Sequence, residues 1–249
     1  MDIKIIYEDD DLLVIDKPSG VTVNKSESAK EETVQDWAEK QFTIDHLPFT
    51  IDREGDFYQR SGIVHRLDKE TSGILLIAKN PASFLNLQSQ FAERKVHKTY
   101  IALVHGKVVP ENGEINVPVG RLSFNRKRFG IVAGGRDSVT SYRAISNFKF
   151  QISNSKKPEE LTLLELYPKT GRTHQIRVHL KYFNHPVFSD PLYGGRKVSR
   201  KDRQILPRLF LHASEISFLH PKDGREIFLQ SKLPKGLEEF TKSLSPTID

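Results

Sequence analysis

A carboxylate and several bases crowd the end of an apolar run at Ile63-Val64-His65-Arg66-Leu67-Asp68-Lys69-Glu70-Thr71-Ser72-Gly73. Junctions of this kind, where a regular element gives way to a loop, often carry the reactive groups of a protein. Asp68 could serve there as a nucleophile, a general base, a metal ligand or a turn former bonded to nearby amides. Local composition leaves all four open. Lys98 and Tyr100 lie two apart in an extended run and so project to one face of a strand. A base could lie against that ring while the ammonium approaches a phosphate. Arg177 sits in a helical segment, from which its guanidinium could meet a carboxylate supplied from elsewhere in the chain, and Arg172 competes with it for that role. His65, Asp68, His174, His179, His185 and Asp190 are the candidate metal ligands, but they form no close ligand pattern. His174 and His179 are five residues apart, which places them on different faces of a helix, so no metal is expected.

Positioning these groups requires elements that the patterning predicts. Ile3–Tyr7 and Leu12–Asp16 read as a hairpin around the acidic turn Glu8–Asp11, and Thr33–Phe42 reads as a helix with Val34, Trp37 and Ala38 on one face. The polar stretch 43–60 is expected to be a loop insertion. Gly62–Leu67 and Gly73–Ala78 read as buried strands flanking Asp68. Asn80 can cap, and Pro81 open, a helix through Arg94 in which Phe84, Leu87 and Phe91 recur at helical spacing. Further strands are predicted at Val96–Val104, Ile115–Val119, Val139–Ser146, Leu161–Tyr167, Arg208–Ala213 and Glu226–Leu229. A second helix is predicted over Gly171–Phe183, with Thr173 as its cap, Ile176, Leu180 and Phe183 as its buried stripe, and His174, Arg177 and Lys181 on another face. The expected class is α+β, a mixed, largely antiparallel β-sheet core with flanking helices. No long linker or repeat divides the 249 residues, so one domain is expected.

Composition narrows the function classes. The chain has no cysteine, which removes disulfides, thiol nucleophiles, iron–sulfur clusters and cysteine-bound zinc. No apolar run approaches the roughly 20 residues of a membrane span, and the acidic start lacks the pattern of a secretory signal, so a cytoplasmic location is expected. Net charge is +6, unevenly spread: residues 1–60 carry 15 acidic and 7 basic side chains, whereas 167–212 carry 10 basic and 2 acidic. A positive region of that density fits a polyanion, because each neutralised phosphate releases condensed counterions. Residues 121–149, with Arg126, Lys127, Arg128, Phe129, Arg136 and Arg143, and residues 196–208 are expected to track phosphates.

The run HRLDKETSG followed by ILLIAK resembles the catalytic motif of the RluA-type RNA pseudouridine synthases. In the family's order there also come IIYEDDDLLVIDKPSG upstream, then RKVHKTYIALVHG, VTSYRAI, LYPKTGRTHQIRVHL, HPVFSDPLYGG and RLFLHA downstream. The resemblance covers about Ile5 to Ala213. It implies the pseudouridine synthase catalytic fold and isomerisation of uridine within RNA, with neither metal nor redox cofactor. The bond from ribose C1′ to the base nitrogen breaks, the uracil rotates, and C1′ joins C5.

By the same resemblance Asp68 acts directly on the nucleotide, either by attack or by removing a ribose proton. Tyr100 stacks on the target base and assists loss of the C5 proton, and Arg177 is the basic partner of Asp68. Arg66 enters the RNA stack vacated by the extruded uridine, which a planar cation suits. His65 orients the turn. Val21-Thr22-Val23-Asn24 stand where relatives often carry a histidine and a proline. The chain starts almost directly with the catalytic strands, so no separate N-terminal RNA-binding domain is expected. The resulting expectation is a monomeric, cofactor-free isomerase acting on structured RNA such as tRNA or ribosomal RNA. The alternatives weighed are a noncatalytic RNA-binding or folding module and a metal-dependent RNA hydrolase.

Overall fold

A computed structural model describes residues 1–26, 31–41, 55–123, 125, 128–151 and 158–247. In chain order the elements among them are β1 (Lys4–Glu8), β2 (Leu12–Lys17), α1 (Val34–Gln41), α2 (Asp56–Gln59), β3 (Ser72–Ala78), α3 (Pro81–Ala92), β4 (His97–His105), β5 (Asn112–Asn116), β6 (Val119–Arg121) and β7 (Phe129–Ile131). There follow β8 (Val139–Phe150), β9 (Glu159–Pro168), α4 (Gln175–Tyr182), α5 (Arg196–Ile205), β10 (Leu211–Leu219), β11 (Glu226–Gln230), α6 (Lys235–Ser243) and β12 (Ser245–Pro246). Contacts divide the chain into two compact units, one of residues 1–97 with 215–231 and the other of 98–214 with 232–249.

In the first unit the predicted hairpin is present, with Lys4 opposite Asp16 and Glu8 opposite Leu13. Its turn is closed by the Asp9 carboxylate, which accepts the backbone N–H groups of Asp11 and Leu12, both at 2.8 Å. β2 pairs antiparallel with β3 from Leu12 opposite Ala78 to Lys17 opposite Gly73. The near-continuous apolar runs of these two strands are explained by burial of both faces. On one face Leu12, Val14, Ile74 and Leu76 pack with Phe84 and Leu87 of α3 and with Ile216 and Phe218 of β10. Asn80 caps α3 as predicted, its side chain accepting from Ser83 N–H at 2.9 Å. Thr33 and Asp36 exchange hydrogen bonds in a capping box that starts α1.

Three expectations for this unit need correction. Gly62–Leu67 is not a strand: beyond one bridge from Ile63 to Ile77 it is irregular. Left-handed backbone at Ser61 and Gly62 turns the chain there, and a Cβ at Gly62 would lie 2.0 Å from the Ala78 carbonyl oxygen. Asp56–Gln59, expected as loop, forms a single helical turn, while 42–54 lie outside the described residues. The helix expected to run to Arg94 ends at Ala92, where Arg94 takes a left-handed conformation.

In the second unit β4, β9 and β8 form an antiparallel array, with Tyr100 opposite Leu166 and Thr140 opposite Pro168. β5 adds to β8. The run predicted over Ile115–Val119 is divided between β5 and β6 around Val117-Pro118, since proline has no N–H to continue a ladder. β10 starts three residues later than predicted and extends to Leu219, although Phe210 still bonds the Phe188 carbonyl at 3.1 Å. Phe150, Phe188 and Phe210 pack around Phe240 of α6, with ring centroids 5.1–6.4 Å from it. The two units together give the mixed, mostly antiparallel architecture with few helices that the patterning predicts.

Candidate functional site

In the first unit a buried lysine organises the loop that carries Asp68. Lys17 has no exposed surface, and its ammonium donates to the carbonyls of Pro18 and Val21 at 2.8 Å and of Lys69 at 3.1 Å. Gly20 N–H also donates to the Lys69 carbonyl, at 2.8 Å, and Ser19 Oγ to that of Glu70, at 2.7 Å. Thr71 N–H closes a turn on the Asp68 carbonyl at 3.1 Å. Asp68 is thus partly exposed on a backbone whose next two carbonyls are fixed from outside the loop.

His65 enters this arrangement as an anchor. Its Nε2 accepts the backbone N–H of Leu76 at 2.9 Å, so that nitrogen carries no proton, and its ring packs 5.0 Å from Phe91. Buried Leu67 holds the other side of Arg66, which is exposed.

The second unit carries Tyr100, Lys98, Arg172 and Arg177. Tyr100 and Lys98 share a face of β4, with Tyr100 buried and Lys98 half-buried. Burial lowers the Lys98 ammonium to about 8, because a charge removed from water favours its neutral form. Arg177 is 5% exposed and forms a bidentate pair with Asp190, which is wholly buried: Nε lies 2.8 Å from Oδ2 and Nη2 2.9 Å from Oδ1. Asp190 Oδ1 also accepts the backbone N–H groups of Leu192, at 2.8 Å, and Tyr193, at 3.0 Å. The Tyr193 ring lies 5.1 Å from the guanidinium carbon, and its hydroxyl meets His174 Nδ1 at 2.9 Å and accepts Phe129 N–H at 3.0 Å. The guanidinium therefore has little freedom.

The helix bearing Arg177 begins later than predicted. Thr173 is not its cap; His174 occupies that position in a left-handed conformation, and α4 starts at Gln175 with Arg177 in its first turn. Gln175 organises this entry, its Oε1 accepting from Arg172 N–H at 3.0 Å and Thr170 Oγ1 at 2.7 Å. The expected face of His174, Arg177 and Lys181 does not form, since His174 precedes the helix and Arg177 is buried while Lys181 is exposed. Arg172 Nε reaches the Asp137 carbonyl at 3.3 Å. Arg128 is half-buried, and Arg126 and Lys127 lie outside the described residues.

The histidines weighed as metal ligands are engaged otherwise. His179 bonds Thr140 Oγ1 and the Val117 carbonyl, and burial pushes its pKa down. His185 Nδ1 meets the His105 carbonyl at 2.8 Å. Lys17 and Tyr193 are site-building residues that periodicity missed, while Asp190, weighed as a metal ligand, is the carboxylate partner of Arg177. A lysine closing the apolar run LLVID was the one available signal, since burial in that strand requires its ammonium to find acceptors.

Residues 11–182 match the family of RNA pseudouridylate synthases, PseudoU_synth_2. The chain belongs to this family. It is 34% identical over 245 residues to the uncharacterized RNA pseudouridine synthase YlyB of Bacillus subtilis (strain 168), covering 98% of this chain and 73% of that protein. It is 35% identical to the ribosomal large subunit pseudouridine synthase D of Nitrosomonas europaea, covering 97% of this chain and 65% of that one. The chain thus spans about two-thirds of the length of that relative. The solved structure of human RNA Pseudouridylate Synthase Domain Containing 1 superposes with a TM-score of 0.73 at 27% identity, over 99% of this chain and 89% of its own. Family membership makes the chain an isomerase of RNA uridine, and Asp68, Tyr100 and Arg177 all fall inside the matched span. Among the described residues no helix is long and apolar enough to cross a membrane.

Proposed function

We propose that the chain converts particular uridines of structured RNA to pseudouridine, with Asp68 acting on the nucleotide, Tyr100 against the base and Arg177 holding the Asp68 carboxylate. The observation that carries this reading is the placement of all three within the family match, together with the fixing of their local backbones described above. Ribosomal RNA is the first substrate to test, since relatives bear that name, and tRNA the second. We place the protein in the cytoplasm as a single catalytic monomer.

In the proposed reaction Asp68 either attacks the sugar or removes a ribose proton. The C1′–N1 bond breaks with its electron pair leaving on the uracil, the base turns, and C5 bonds to C1′ as Asp68 either leaves the sugar carbon with the bonding pair or returns the proton to the ribose. The proton on C5 is lost and N1 takes one up, so mass is conserved. A carboxylate suits an electron-poor sugar carbon, and an arginine partner fixes the direction of its oxygens. The target must leave its stack to reach Asp68, and exposed Arg66 is the group proposed to fill the gap. His65 is assigned to holding Arg66 and Asp68 in place, while Lys98, Arg172 and the basic run Arg126, Lys127 and Arg128 contact phosphate.

The test is tritium release from RNA carrying C5-tritiated uridine, with RNA length followed in parallel. Release with unchanged length supports isomerisation. Shortened RNA without release rejects it in favour of hydrolysis.

A further inference from the structure

The second unit contains a cavity of about 490 Å³ whose walls include Arg128, Lys181, Arg196 and Arg200. That volume falls within the range of small-ligand pockets and exceeds the space one phosphate needs. None of these four cations forms an ion pair with a described residue. The only acids between 167 and 212 are Asp190 and Asp202, both wholly buried and engaged with Arg177 and His105 respectively. No carboxylate of this segment therefore offsets the field at its surface. Four cations gathered around one cavity repel one another, and an anion relieves that repulsion.

The backbone adds to this field. Gly195 and the first turn of α5 line the same cavity. Gly195 serves as the helix cap at φ +82° with no side-chain acceptor, which leaves the first-turn N–H groups for an external acceptor. The wall is stiff: Asp190 accepts from Leu192 and Tyr193, and a Cβ at Gly194 would lie 2.8 Å from the Asp190 carbonyl oxygen.

We propose that this cavity is a phosphodiester-binding subsite for the RNA strand, seating a nucleotide other than the one being isomerised. The inference rests on the reading of the chain as an RNA uridine isomerase and gives that reading a second anchoring point. Arginine suits the role because its fork meets two phosphate oxygens at once. The wall residue Tyr193 stacks on Arg177, so a strand held here is indexed to that guanidinium.

The experiment compares wild type with Arg196→Gln/Arg200→Gln, and with Lys235→Gln/Lys242→Gln as a control that removes equal charge from exposed, already paired lysines of α6. RNA affinity is measured across a salt series, and tritium release at saturating RNA gives kcat. The arginine pair should weaken binding roughly tenfold and flatten the plot of log affinity against log salt by about 1.4–1.8, the loss of two phosphate contacts. The lysine pair should keep the wild-type slope.

An unchanged slope in the arginine pair overturns the subsite, as does an equal change in the lysine pair. Uridine monophosphate serves as a separate probe. Weaker binding of the free nucleotide with unchanged RNA binding would make this a mononucleotide site and overturn the strand proposal. A wild-type protein that binds RNA but releases no tritium would defeat the isomerase reading alone, since the slopes still judge the subsite.

Discussion

Arg177 and Asp190 form a two-pronged ion pair, Nε to Oδ2 at 2.8 Å and Nη2 to Oδ1 at 2.9 Å, with neither side chain more than 6% exposed. The pair joins the first turn of α4 to the turn preceding α5, and the same carboxylate bonds two backbone N–H groups of that turn. Its value lies in what its loss would leave: a buried guanidinium stripped of this two-pronged bond and two amides without that acceptor.

Asp190→Ala should therefore lower the unfolding free energy by about 3–5 kcal/mol, the range for stripping one partner from a buried pair. Urea unfolding checks this. Asp190→Asn retains an oxygen acceptor for the amides but not the charge, and should fall between the alanine variant and wild type. If both variants unfold at the wild-type urea midpoint, the pair does not organise this region.

Asp68→Asn should reduce tritium release on the order of 10⁴-fold or more, as expected when a group acting on the reacting atoms loses its charge. RNA affinity should remain close to wild type, because most of it comes from phosphate contacts that the substitution leaves in place. Turnover within tenfold of wild type would remove Asp68 from the reaction.

Lys17 separates loop order from chemistry. Lys17→Met keeps a long apolar stem but removes a buried ammonium from three carbonyls, two of them from the segment after β2 and one from the turn beyond Asp68. Unsatisfied buried acceptors cost about 1–3 kcal/mol each before relaxation, so a net loss of roughly 2–4 kcal/mol is expected in urea unfolding. kcat should fall more than RNA affinity, since the loop presents Asp68. A fully stable and active variant would show that the three bonds do not position it.

The buried pair β2 and β3, the acidic hairpin turn and α3 were legible because their information is local: apolar runs, an Asx turn, and Asn80-Pro81 before a helical stripe. α5 was not. Its segment has no apolar stripe, and it docks through buried Ser199 and Asp202, the latter meeting His105 Nε2 at 2.9 Å from 97 residues away. The partnership of Arg177 with Asp190 escaped for the same reason. A distant carboxylate is expected for Arg177, but no local pattern says that the chain returns Asp190 to it. The left-handed His174, which delays α4, has no sequence marker comparable to glycine. The Lys17 clamp depends on backbone carbonyls, which every residue possesses and no motif announces.

Lys98 gives a pH dependence whose sign can be worked out. Its pKa falls from 10.5 to about 8 through burial, so below about pH 8 both folded and unfolded chains carry the proton and the full cost of the buried charge is present. Between about 8 and 10.5 the folded chain has released the proton while the unfolded chain retains it, and stability attributable to this group rises with pH. Lys98→Met should accordingly be more stable than wild type at pH 7, and that advantage should shrink through this window. Urea unfolding of both proteins across pH 7–11 isolates the group, because other titrations cancel in the difference. Function should move the opposite way. If the Lys98 ammonium contacts phosphate, wild-type RNA affinity should weaken as pH passes about 8 while that of Lys98→Met stays level. A parallel pH dependence in the two proteins would remove Lys98 from RNA binding and leave it as a half-buried strand residue.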